Sequence, residues 1–231
     1  MRAPPEMIGG FFMSVFVNAD GGLTTAGYIG CIVLIGLLLA AVFAGKEKDG
    51  ADKRMSTKKL AYCAMCLALA AVTSMLKVFE FPFGGSVTLC SMLFAMLPGW
   101  FYGARTGLLC GLIYGILQFV MGPYVMTPVQ VLFDYVFAFM IMGVSGFFSR
   151  SRDGLIKGYI AAVFGRWIMA TIAGLIWVSL GSTAWDGWAP LPYSMAYNGA
   201  YIGTEAVVTL ILLAIPAVRN ALTRIKKQAL S

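Results

Sequence analysis

The stretch TPVQVLFDYVFAFMIMGVSGFFS, residues 127–149, decides the fold. It carries one charged side chain, Asp134, in a run long enough to cross a hydrocarbon layer of about 30 Å as a helix. Working outward, six further apolar segments are predicted at roughly 22–44, 58–78, 88–103, 105–121, 156–181 and 196–218. The whole chain is 60% hydrophobic and 12% charged, with a mean hydropathy of +0.84. A soluble domain carries about 25% charged residues. Strand-length alternation with turn signals is missing, which sets a β-barrel aside. The expected fold class is an all-α membrane protein with a six-helix core and one extra N-terminal transmembrane helix.

The polar run KEKDGADKRMSTKK (46–59) separates that extra helix from the rest. The expected division is an extension over 1–55, with its helix at about 22–44 and a basic linker, and a six-helix membrane domain over 56–231. The extra helix reads as an assembly or insertion element, or as the product of an upstream start, with Met55 the alternative start. The opening MRAPPEMIGGFFMSVFVNAD (1–20) has an apolar run too short to span and does not read as a cleavable signal.

Charge sets the expected orientation. Of the seventeen Lys and Arg, fourteen fall on one side of the spans: Lys46, Lys48, Lys53, Arg54, Lys58, Lys59, Arg105, Arg150, Arg152, Lys157, Arg219, Arg224, Lys226 and Lys227. Only Arg2, Lys77 and Arg166 fall elsewhere. The positive-inside rule makes the basic side cytoplasmic, with the C-terminus inside and the N-terminus outside a multi-pass protein of the cell membrane. Basic residues flanking spans are topology signals, so the net charge of +7 does not point to nucleic acid. The short cytoplasmic loops hold no phosphate-binding loop, so the chain is not expected to hydrolyse ATP by itself.

The three outward loops read FEFPFGGSV (79–87), GPYVM (122–126) and STAWDGWAPLPYSM (182–195), rich in aromatics, Gly and Pro. Candidate chemistry concentrates there. Three ionisable residues lie within spans, namely Asp134, Arg166 and Glu205, and each is a functional suspect; an Arg166–Glu205 structural pair is the bland alternative. Gln130 and Asp134 are one helical turn apart and share a face, with Tyr124 at the outer mouth and Tyr135 adjacent. A carboxylate among aromatic rings suits an organic cation, by charge pairing and by attraction to the ring faces. The third loop adds Trp185, Asp186, Trp188 and Tyr193, with Ser194 and Asn198 just inside it. The Trp residues are equally explained by an interfacial aromatic belt. Asn198 is not, and its amide suits the edge of an aminopyrimidine ring.

Cys63 and Cys66 have the spacing of a redox or zinc motif. They lie within a helix, however, in a chain without histidine or a second Cys pair. All five cysteines therefore read as small apolar residues, and neither a metal site nor a cofactor is expected. No nucleophile–base pair is available for catalysis. Small residues form two stripes, Ala64/Ala68/Ala71 and Gly107/Gly111/Gly115. The glycines read as packing within the chain, and the alanines as a face for a partner subunit.

From about residue 56 onward the chain resembles the substrate-binding S components of the energy-coupling-factor thiamine transporters. The resemblance rests on GGSVTLCSML (84–93), YGARTGLLCGLIYGILQ (102–118), TPVQVLFDYVFAF (127–139), IAGLIW (172–177), AWDGW (184–188) and YSMAYNGAYI (193–202). It implies six helices, thiamine held near the outer face, and ATP-driven import with a transmembrane coupling subunit and two ATPase subunits. Carried over by motif, the carboxylate that meets the thiazolium falls on Asp134, with Tyr124 and Tyr135 beside it. The pyrimidine side falls on Tyr193, Ser194 and Asn198. Gly174 matches a close-approach glycine, and Ala64 and Ala68 match the motif that docks on the coupling subunit. The chain departs from the family pattern at Ala170, where His is frequent, at Val178, where Trp is familiar, and in a first loop with Phe81 and Phe83 but no Trp. The carboxylate is Asp rather than Glu. The alternative is a self-sufficient transporter of thiamine or a related pyrimidine or thiazole precursor, coupled to protons through Asp134 or Glu205. The absence of a second half-length repeat counts against it. Few basic groups lie on the outer face, which favours the free vitamin over its phosphates.

Overall fold

The computed structural model describes residues 57–179 and 187–231, together with 24–26, 29 and 33. The expected span at 22–44 thus falls, apart from those positions, outside the described residues, as do Trp185 and Asp186. Among the described residues, five helices are long and apolar enough to cross a membrane: Thr57–Met75 (α1), Ala104–Met121 (α3), Pro128–Phe148 (α4), Gly154–Val178 (most of α5, which runs on to Ser179) and Pro190–Ala214 (α6). Two more helices complete the bundle, Ser91–Tyr102 (α2) and Pro216–Leu230 (α7).

The expected span at 88–103 is the short helix α2. Twelve residues rise about 18 Å, less than the hydrocarbon thickness. Its brevity goes with its place: every residue from Ser91 to Phe101 except Phe94 is buried, as befits a helix apolar on all sides. Gly103, at φ 92, alone links α2 to α3, and its N–H closes onto the Gly99 carbonyl at 2.8 Å. A left-handed single-residue turn of this kind favours glycine because no Cβ has to be accommodated.

The glycine stripe on α3 packs inside the chain. A Cβ on Gly107 would stand 2.5 Å from Gly99 Cα and 2.8 Å from Gly143 Cα. One on Gly111 would stand 2.9 Å from Met140 Cα. Backbones of α2, α3 and α4 therefore touch directly, and dispersion at close range holds them where lipid offers no hydrophobic drive. Among the described residues Cys63, Cys66, Cys90 and Cys110 belong to the buried core, as expected, while Cys31 lies outside those residues.

Three expectations are corrected. The first outward loop is a β-hairpin: Lys77–Glu80 (β1) pairs antiparallel with Ser86–Thr88 (β2), with Phe79 opposite Val87. The last span starts at Pro190, not 196, because two prolines at the first helical turn suit a helix start. It ends at Ala214, where Ile215 turns extended and Pro216 begins the separate helix α7. That helix lies across the basic end of the bundle, burying Leu222 and Ala229. Lys226 Nζ donates to the Ser149 carbonyl at 2.6 Å and sits 4.2 Å over the Trp100 ring.

Candidate functional site

A cavity of about 1020 Å³ opens at the hairpin end, between the hairpin and helices α1–α6. That is the upper end of the range for small-molecule sites. Of the residues expected from sequence, Tyr124, Asp134, Tyr135, Gly174, Tyr193, Ser194 and Asn198 all stand on its wall.

Asp134 owes its position to how α4 begins. Thr127 caps the helix, its hydroxyl accepting from Gln130 N at 3.2 Å, and Pro128 occupies the first turn. Over Leu132–Phe137 the backbone then widens to π-helical turns, a feature that recurs at functional sites. Gln130 is fully buried, off the cavity wall, and holds the carboxylate from behind: its Nε2 donates to Asp134 Oδ2 at 2.8 Å while its Oε1 accepts from Met126 N at 3.2 Å. Asp134 Oδ1 accepts no hydrogen bond within the described residues. A half-buried carboxylate with one oxygen spoken for and the other open is thus presented to the cavity. Rings flank it. Tyr135 packs edge-on to Phe119 at 4.9 Å and donates to the Gly122 carbonyl at 2.8 Å, and Tyr124 lies 6.3 Å from Trp177.

The opposite wall is the first half of α6. Ser194 Oγ donates to the Thr171 carbonyl at 2.7 Å, and the two helices approach there because residue 174 is glycine. A Cβ at Gly174 would overlap Ser194 Oγ and stand 3.0 Å from Asn198 Nδ2. Asn198 Nδ2 donates to the Ser194 carbonyl at 2.9 Å, and its Oδ1 accepts from Tyr201 OH at 2.8 Å. Its amide is thus tied into its own helix, leaving Oδ1 with one lone pair to offer. The stripe Tyr193, Tyr197 and Tyr201, one helical turn apart, puts rings 5.9 and 5.8 Å from one another.

Not every expected site residue stands on the wall: Gln130 lies behind Asp134. Trp188 is exposed and off the cavity wall, and Trp185 is outside the described residues. Sequence reasoning missed Tyr197 and Tyr201, although their spacing from Tyr193 was the available signal. It also missed the wall formed by hairpin residues Gly84, Gly85, Ser86 and Thr88. The Arg166–Glu205 alternative is corrected too. Arg166 lies over the Phe139 ring at 4.3 Å, while Glu205 is bonded to Thr88, Ser91 and Met92. The lone ion pair within 4.0 Å among the described residues is Lys77–Glu80, at 2.6 Å.

Residues 60–225 match the family described as thiamine transporter protein. The chain is 32% identical over 146 residues to the thiamine transporter ThiT of Bacillus subtilis (strain 168), an overlap covering 57% of this chain and 74% of that protein. A solved structure of ThiT from Listeria monocytogenes shares the fold, with a TM-score of 0.56 at 24% identity, over 69% of this chain and 96% of that one. The matched region includes the hairpin, the glycine-packed helices and the whole cavity, and the family is one of transporters rather than enzymes. On that match the chain belongs to the thiamine transporter protein family.

Proposed function

We propose that this protein captures thiamine in the hairpin-end cavity as the substrate-binding subunit of an energy-coupling-factor importer. The observation that carries the reading is Asp134, one oxygen held by Gln130 and the other open to an aromatic-walled cavity. The charges of the wall support a monocationic ligand. Asp134 and Glu205 stand against Arg166 alone once Lys77 is counted with Glu80, which leaves one negative charge in excess. The thiazolium supplies one positive charge and pairs with Asp134, with Tyr124 and Tyr135 beside it. The aminopyrimidine lies along α6, against Tyr193 and Asn198, with Ser194 held back beside Gly174.

In this reading residues 56–231 form the binding domain and 1–55 an appended helix and linker. The hairpin end faces outside, and the basic end, with the C-terminus, faces the cytoplasm. Ala64 and Ala68 are both exposed on α1, with Met65 and Leu69 beside them. A small-residue face of this kind lets another helix approach closely, and here it docks the coupling subunit that works with two ATPases.

Reconstitution in liposomes tests the mode of transport. Thiamine uptake is expected only with the coupling subunit, both ATPases and ATP. Ala68→Trp is expected to bind thiamine normally and to abolish that uptake. Uptake by this chain alone, driven by a proton gradient, would establish the self-sufficient transporter instead.

A further inference from the structure

Glu205 is a buried carboxylate on the cavity wall, 4% exposed and within an apolar helix, whose charge the binding scheme counts but to which it gives no ligand contact. Its surroundings define its work. Oε2 accepts from Thr88 N at 3.2 Å and Thr88 Oγ1 at 2.6 Å, and Oε1 accepts from Met92 N at 3.0 Å. The Ser91 hydroxyl lies 3.2 Å from Oε1 and 2.7 Å from Thr88 Oγ1, so its single proton serves one of them at a time. Three or four donors thus converge on one carboxylate, two of them backbone amides. Both oxygens are occupied, in contrast to Asp134, so Glu205 is poorly placed to take a ligand cation.

What these donors have in common is their location. Thr88 ends β2, and Ser91 and Met92 begin α2. Between them Cys90 holds a left-handed backbone at φ 61 and offers α2 no side-chain cap. A helix start leaves amides without partners, and a carboxylate there is favoured by the helix dipole as well as by hydrogen bonding. Here α6 supplies the cap from across the bundle. The hairpin is also held at its tip: Tyr197 OH accepts from Gly85 N at 2.9 Å and donates to the Pro82 carbonyl. The tip is thus held by one phenol hydroxyl, and the base by a charged group with several bonds.

We propose that Glu205 is a positioning residue for the ligand cavity: by capping α2 and pinning the end of β2, it fixes the hairpin as a wall and so sets how long a ligand is retained. The retention part rests on the proposed binding function, whereas the fixing of the wall does not. The experiment therefore has two arms. The first is hydrogen exchange in the ligand-free protein, comparing wild type with Glu205→Gln, which keeps the shape but turns an amide donor toward amide donors. Exchange at the Thr88 and Met92 amides is expected to accelerate about tenfold or more, with α3 unchanged. Unchanged exchange at those amides, or an equal rise throughout the bundle, overturns the proposal. The second arm measures thiamine dissociation and association rates. Dissociation is expected to rise by about fivefold or more, with association altered by less than about twofold. Equal dissociation rates in variant and wild type overturn the retention role. Thr88→Val, which removes one hydroxyl donor and keeps the shape, should shift both readouts in the same direction by less, and decides the matter if the Gln variant fails to fold. If wild type binds no thiamine, the proposed function fails while the exchange arm still decides the role of Glu205 in the wall.

Discussion

The two ends of this bundle solve opposite problems with similar helices. Toward the basic end, α2, α3 and α4 meet backbone to backbone through Gly99, Gly107 and Gly143, and α7 is strapped across by Lys226. Toward the hairpin end, α5 and α6 part from α1 and α3 around a large cavity walled by aromatic and polar side chains. The difference teaches that a polar cavity within a membrane needs a rigid base. At the cavity end α3 meets α4 at Gly115 and α5 meets α6 at Gly174, while the hairpin wall is held by the hydrogen bonds of Glu205 and Tyr197.

Breaking the packed end should have the largest effect. Gly143→Leu forces a side chain into the space of Gly107 and Leu108, and a loss of about 3 kcal/mol or more is expected, seen as the absence of a cooperative melting transition in detergent. Next comes the charge at the cavity. Asp134→Asn is expected to weaken thiamine binding at least about tenfold, from loss of a charge-assisted contact of about 1.5–3 kcal/mol, with melting temperature preserved. Tyr197→Phe removes the tip's hydrogen bonds to Gly85 and Pro82 and should weaken binding several-fold, about 0.5–1.5 kcal/mol in a titration. Smallest is Gly203→Leu, where nothing lies within 4 Å of the added Cβ, and a stability change within about 0.5 kcal/mol is expected from thermal melts. Should Gly203→Leu prove as damaging as Gly143→Leu, close backbone contact would not be what sets the packed end apart, since leucine favours a helix more than glycine does.

Much of this was legible in the sequence because membranes impose long apolar runs, and charge in the flanks marks their ends. The spans of α3, α4 and α5 fall within a few residues of expectation, and Asp134 stood out as a lone carboxylate in one of them. The hairpin was not legible: FEFPFGGSV carries no long alternation, and β1 and β2 pair in a stretch held from outside by Glu205 and Tyr197. Nor was the fate of Glu205. A charge in a span announces that it needs partners, but the partners here are the amides and hydroxyls of residues 88–92, more than a hundred positions away. The shortness of α2 was likewise hidden, since an apolar run does not say whether it faces lipid or its own neighbours.

The most direct test of the central claim is a thiamine titration of the purified chain, followed by quenching of its tryptophan fluorescence, with Trp177 on the cavity wall as the reporter. Saturable quenching at submicromolar thiamine, not reproduced by riboflavin or biotin and weakened by Asp134→Asn, is the expected result. A folded wild-type protein that shows no saturable response to thiamine would contradict it.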